Sequence, residues 1–156
     1  MRKVDVDAIE SLPGAAVVKR KLTDELGTTD LALVYYELVE GESSSFGYHA
    51  HGAQEEVFYV QQGAVTVRAE SETVTVTSGE VVRVPPGELQ RAVNERTERA
   101  VVLVVGAPQE AGELTLFRFC EACDDETLQE VRDVDPGSIR ETVCSDCGHV
   151  TGRFTK

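Results

Sequence analysis

From residue 31 to residue 106 the chain is a series of short β-type runs, each stopped by glycine or proline. LALVYYELV at 31–39 ends at Gly41, and EVFYVQQ at 55–61 ends at Gly63. AVTVRAE at 64–70 and ETVTVTS at 72–78 alternate apolar and polar side chains and close at Gly79. EVVRVP at 80–85 stops at Pro85-Pro86-Gly87, and AVVLVVG at 100–106 is a continuous apolar run. Alternation with a period of two turns one face of a strand inward, and an unbroken apolar run of that length suits a buried strand. Short runs spaced by roughly ten residues and separated by turn formers build barrels or sandwiches. The expected fold class is therefore all-β. Ahead of these runs, residues 1 to about 30 form an N-terminal segment, in which VDVDAIESL is predicted to make one short helix before the Leu12-Pro13-Gly14 turn.

A chain of 156 residues holds one ordinary domain, or one domain and a small appendage. GAPQEAGE at 106–113 reads as a linker, and the character of the chain changes beyond it: DDETLQEVRDVDPGS is highly charged, and every cysteine lies at or after Cys120. This predicts a barrel over 1–112 and a second module over 113–156. The formal net charge is −13, which disfavours DNA, RNA and anionic membranes as partners. Lysine occurs only at Lys3, Lys19, Lys21 and Lys156. An acid-rich, lysine-poor surface is expected of a halophile, where a Debye length of about 3 Å at molar salt screens self-repulsion. MRKVDVDAIESL has no apolar core of a secretory signal, and no apolar run approaches the length of a membrane helix. A cytoplasmic location is expected, where four cysteines serve as metal ligands more readily than as disulfides.

His49 and His51 stand two residues apart, a spacing that puts both imidazoles on one face of a strand. Glu56 opens the next run, and a turn through Gly52 and Ala53 is predicted to bring that run back alongside the first. Two imidazoles and a carboxylate meeting at one point suit a divalent transition metal: Fe, Mn, Ni, Cu or Zn. HAHGAQEEVFYVQQG resembles the first motif of the cupins, with His49, His51, Glu56 and Gly63 in register and Ser43 where the leading glycine is usual. GEVVRVPPGELQRAVN resembles the second motif, with Gly79, Pro85, Gly87 and Asn94 in place. The resemblance implies a double-stranded β-helix, or jelly-roll barrel, with the metal in its mouth and a tendency to form homodimers. It also implies a third histidine, but here the position holds Gln90. Its amide oxygen offers a weak fourth ligand, or the amide hydrogen-bonds a ligand or a metal-bound water. Gly63, Gly79 and Gly87 serve turns, and Asn94 is expected to hold a loop by hydrogen bonds. Tyr35, Tyr48, Phe46, Phe58 and Arg83 are candidates for the pocket lining.

Cys120-x2-Cys123 and Cys144-x2-Cys147 are separated by twenty residues, the spacing of a four-cysteine zinc site. LTLFRF and SIRETV, ahead of the two pairs, read as strands, and the pattern resembles a zinc ribbon. Four thiolates close the tetrahedral shell, so this zinc is structural and His149 stands outside it. Gly148 follows the second pair as a knuckle turn prefers, whereas Asp124 follows the first. Over 119–156, four basic side chains face nine acidic ones, so the ribbon is expected to contact protein or pack on the barrel rather than bind nucleic acid.

Three functions remain open from the sequence. The barrel acts as a metal-dependent enzyme on a small molecule, a dioxygenase or an isomerase. Alternatively it captures a small ligand without turnover, and the ribbon passes that state to a protein partner. In the third reading the barrel has lost its metal and keeps only the structural zinc. Cupin folds host many chemistries, so fold alone does not choose.

Overall fold

The computed structural model describes residues 1–155. Its strands are β1 (Val18–Lys21), β2 (Ala32–Leu38), β3 (Tyr48–His51), β4 (Glu55–Gln62), β5 (Ala64–Ala69), β6 (Thr73–Thr77), β7 (Val81–Val84), β8 (Gln90–Val93), β9 (Ala100–Ala107), β10 (Leu114–Cys120), β11 (Asp125–Asp135), β12 (Ile139–Cys144) and β13 (Val150–Thr155). One short helix, α1 (Thr23–Leu26), follows β1. The helix predicted near the N-terminus is a 3-10 turn over Val6–Ala8, since Asp5 caps it and Ile9 is already extended. No helix among the described residues is long and apolar enough to cross a membrane.

The strands form two antiparallel sheets, ordered β1-β2-β9-β4-β7 and β13-β12-β11-β10-β3-β8-β5-β6. The inward faces of the first sheet and of β5, β6 and β8 enclose one apolar core. Leu38, Phe58, Val60, Val65, Ala100 and Val102 are at most 1% exposed there. Strand β9 shows how the sequence achieves this. Its residues alternate between buried and half-buried along the whole run, so one face packs on the core and the other is partly covered.

Strands β3 and β4 are not neighbours. The sequence reading placed β4 beside β3, but both hydrogen-bonding edges of β3 are taken, by β8 and by β10. The chain turns a corner after His51 and β4 joins the facing sheet, between β9 and β7. His49 and His51 therefore face Glu56 across the barrel rather than along one sheet.

The cysteine-bearing strands continue the larger sheet. Strand β10 pairs with β3 in register, Leu114 opposite His51 and Leu116 opposite His49. Strands β11, β12 and β13 then extend the sheet outward as an antiparallel meander. The approach of β10 requires a glycine at 47: a Cβ there would lie 2.3 Å from the Phe117 carbonyl oxygen. The Phe154 ring stacks 4.5 Å from that of Phe46, and Arg118 lies over Phe154 while donating to the carbonyls of Phe46 and Thr151.

Asn94 is fully buried, and its amide satisfies three backbone groups. Nδ2 donates to the carbonyls of Leu38 and Glu98 at 2.9 and 2.8 Å, and Oδ1 accepts from the Arg96 amide at 2.9 Å. Removing the side chain strands those groups away from water. Asn94→Ala is expected to cost about 3 kcal/mol, read as a lower urea midpoint at unchanged slope.

Candidate metal centre and cavity

His49 and His51 project from the same face of β3, and Glu56 projects from β4 opposite them. One donor atom from each lies within 4.8 Å of the other two. His49 Nε2 is 3.5 Å from one Glu56 oxygen and His51 Nε2 is 3.7 Å from the other. A cation bonded at about 2.1 Å needs donors about 3.0–3.4 Å apart, so each histidine–Glu56 pair stands within a few tenths of an ångström of that spacing. Burial holds His51 below its ordinary pKa, with Glu56 opposing and His49 adding to the shift. That shift favours the neutral imidazole, the form that offers a lone pair to a metal. Burial works to raise the Glu56 carboxyl. Hydrogen bonding and charge from His49, the charge of His51 and the Gln90 amide outweigh it and hold the group below the usual carboxylate range.

Gln90, on β8, sits directly opposite His49 in the sheet and is 2% exposed. Its amide nitrogen, rather than its oxygen, faces the trio, 2.6 Å from Glu56 Oε2 and 3.0 Å from His49 Nε2. An amide N–H₂ has no lone pair to give, so in this orientation Gln90 orients the carboxylate and does not ligate. Its oxygen is buried without a partner, as are Nδ1 of His49 and Nδ1 of His51.

The trio forms part of the wall of a cavity of about 230 Å³. Of the aromatic and basic side chains proposed from sequence, Phe46 and Phe58 line it. Tyr35, Tyr48 and Arg83 do not, and Arg83 instead pairs with Glu55 on the outside. The lining residues that escaped the sequence reading include Lys19 from β1, Tyr36 from β2 and Arg140 from β12. Only Tyr36 left a signal, as an inward position of an alternating run.

The four cysteines meet at the far end of the extension. Their sulfurs lie within 4.8 Å of one another, with Cys120 to Cys147 at 3.6 Å and Cys123 to Cys144 at 3.9 Å. A tetrahedron with zinc–sulfur bonds of about 2.3 Å has edges of about 3.8 Å, and these two sulfur pairs stand close to that spacing. The two knuckles match. The amide of Asp124 donates to the Cys120 carbonyl at 2.8 Å, and that of Gly148 to the Cys144 carbonyl at 2.9 Å. Asp124 and Gly148 both have left-handed backbones, φ 55° and 76°, so the aspartate fills the glycine's role. The Thr127 hydroxyl and backbone N–H groups of the second knuckle hold the Cys144 thiol down to about 6. A low thiol pKa favours the thiolate that binds metal. His149 lies outside the cluster.

Residues 34–106 match the family model described as the cupin domain, a stretch that holds both motifs and the whole trio. The barrel is a cupin fold. Among solved structures, a cupin-superfamily sugar phosphate isomerase from Silicibacter pomeroyi is similar at 20% identity and TM-score 0.61, over 99% of this chain and 92% of that one. A predicted oxalate decarboxylase from Thermotoga maritima is similar at 17% identity and TM-score 0.59, over 68% of this chain and 98% of that one. A conserved protein with a double-stranded β-helix domain from Klebsiella pneumoniae gives 21% and 0.58, over 74% and 96%. No curated protein matches the chain. At these identities the likeness is one of fold, and the first alignment takes in the four-cysteine strands as well as the cupin barrel.

Proposed function

We propose that this protein is a metal-dependent cupin enzyme acting on a small molecule held in the barrel cavity. The reading rests on one observation: two imidazoles from one sheet and a carboxylate from the other meet at the wall of a cavity of about 230 Å³. In this reading His49, His51 and Glu56 hold a divalent transition metal, and Cys120, Cys123, Cys144 and Cys147 hold a structural zinc. When bound, the barrel metal supplies Lewis-acid polarisation of a substrate oxygen. The chain's own residues do the rest. Gln90 fixes the Glu56 carboxylate by the bond at 2.6 Å. Phe58 and Val104 add apolar lining to the cavity. The fixed cations on the cavity wall suit a polar, charged substrate. One of the similar structures is named a sugar phosphate isomerase and another a predicted oxalate decarboxylase.

Elemental analysis of protein purified without added metal tests the reading. Two metals per chain are expected, one of them zinc, with the other lost when Glu56 is replaced by alanine. Zinc alone, in a single equivalent, would remove the enzyme reading. Two metals with no turnover of any hydroxy-carbonyl substrate would leave a binding module instead.

A further inference from the structure

Two cations on the cavity wall have no task in the proposed chemistry. Lys19 reaches the cavity from β1, in the five-stranded sheet, and Arg140 reaches it from β12, in the four-cysteine extension. They are separated by more than a hundred residues of sequence and meet only because β10 carries the extension back onto β3. Among the described residues, no hydrogen bond or ion pair ends on the Lys19 amine. It lies over the rings of Tyr36 and Phe46, 5.8 and 5.7 Å from their centroids. Arg140 commits its Nε to Asp133 at 2.7 Å, and its two terminal nitrogens have no partner among the described residues. The only carboxylate lining the cavity is Glu56, and it is engaged by His49, His51 and Gln90. In a chain of net charge −13, two basic side chains against one carboxylate line this cavity.

We infer that Lys19 and Arg140 form an anion-binding subsite, so that the small molecule taken up by the barrel carries a phosphate or carboxylate group. This deepens the reading of the cavity as a substrate site and rests on it. A cation drawn away from water without a partner is stabilised by any anion that reaches it. Burial, and then the nearby Arg140, lower the Lys19 amine to about 8, with Glu56 opposing, so it is still largely charged at neutral pH. The guanidinium adds a planar fork for two oxygens, the geometry that phosphates and carboxylates share. The volume, about 230 Å³, suits a small metabolite. Because one of the two cations belongs to the extension, the four-cysteine strands form a wall of the site as well as a neighbour of the barrel.

Chemical-shift titrations of the full isotope-labelled chain with inorganic phosphate, acetate and glycerol test the subsite. At least one anion is expected to shift cavity resonances of the unaltered chain, and glycerol to leave them in place. The stronger of the two anions identifies the group. Lys19→Met and Arg140→Gln should each weaken that binding about tenfold or more. Lys19→Arg and Arg140→Lys should retain most of it, which separates charge from misfolding. Arg132→Gln, at an exposed ion pair outside the cavity, should change nothing. Equal anion binding in the unaltered chain, Lys19→Met and Arg140→Gln would overturn the subsite, as would no anion binding at all. Metal content measured on the same samples keeps the two readings apart. Anion binding that depends on Lys19 in a barrel without metal would remove the metal reading and leave the subsite. A loaded barrel indifferent to both substitutions would do the reverse.

Discussion

His49→Ala is expected to empty the barrel of its metal while leaving the fold and the thiolate-bound zinc in place. The trio has three donors, and the Nε2 of His49 lies 3.5 Å from Glu56 and 3.0 Å from the Gln90 amide. Two remaining donors cannot hold a labile divalent ion against water. The loss should exceed the 10–100-fold that removing an outer hydrogen-bond partner typically costs. Little of the fold depends on this ring. Its Nδ1 has no partner, and the backbone pairing of β3 with β10 and β8 does not use side chains. The expected cost in stability is less than about 2 kcal/mol. Elemental analysis beside a thermal melt reads both effects. Gln90→Leu is the informative contrast, since it removes the hydrogen bond to Glu56 without removing a donor. It should weaken the metal about tenfold to a hundredfold, not abolish it. If His49→Ala kept its full complement of metal, the trio would not be the ligand set.

The barrel strands were legible because their apolar side chains recur with the period of the pleat. Residues 31–39, 55–61 and 100–106 stand in the structure as β2, β4 and β9, with ends shifted by at most a residue or so. Strand β11 was not legible, for a physical reason. Its inward positions are Thr127 and Gln129, which hydropathy scores as surface. They are buried because they satisfy one another: Gln129 donates to the Thr127 hydroxyl at 2.8 Å and accepts from Thr151 at 2.6 Å, and Thr151 meets Thr142 at 2.9 Å. A core made of hydroxyls and an amide has no apolar periodicity to detect. Strand β1, spelled VKRK, hid for a similar reason, since Lys19, Arg20 and Lys21 are long and charged, and Arg20 and Lys21 pair with Asp7 and Asp24. The metal trio could be named from spacing, but its geometry could not. The local pattern suggested a hairpin, and which strand pairs with β3 is decided by β10, more than sixty residues away. Lys19 and Arg140 were invisible as a pair for the same reason. Neither belongs to a motif, and only the return of the extension brings them to one cavity.

Cys144→Ser is expected to have the largest effect of any single substitution in the extension. Apart from the cysteines, the side chains buried there are few: Leu116 and Val143 are apolar, and the others are the threonines and the glutamine of the hydroxyl network. That is too little apolar area to order three strands beyond β10 by burial alone. A four-thiolate zinc contributes about 10–16 kcal/mol of apparent folding free energy in small modules. Cys144 is buried, at 2% exposed, and the Thr127 hydroxyl and knuckle amides hold its thiol down to about 6. A serine hydroxyl in its place binds zinc far more weakly and leaves the other three sulfurs without a closed shell. The expected outcome is loss of the zinc and rapid proteolysis between Glu121 and Thr155. The β2–β9 barrel should persist as a separate, protease-resistant core, because its apolar cluster includes no residue of the extension. Chelation of the unaltered chain should reproduce this pattern, and added zinc should reverse it. The same loss should reach the barrel cavity, since Val131 and Arg140 leave its wall when β11 and β12 disorder. Tyr36 and Phe58 would then gain solvent access while His49, His51 and Glu56 keep their positions on β3 and β4. A Cys144→Ser chain that retained zinc and resisted protease would mean that the polar network and the β10–β3 pairing hold the extension without the metal. In that case the thiolate cluster would have a task other than support.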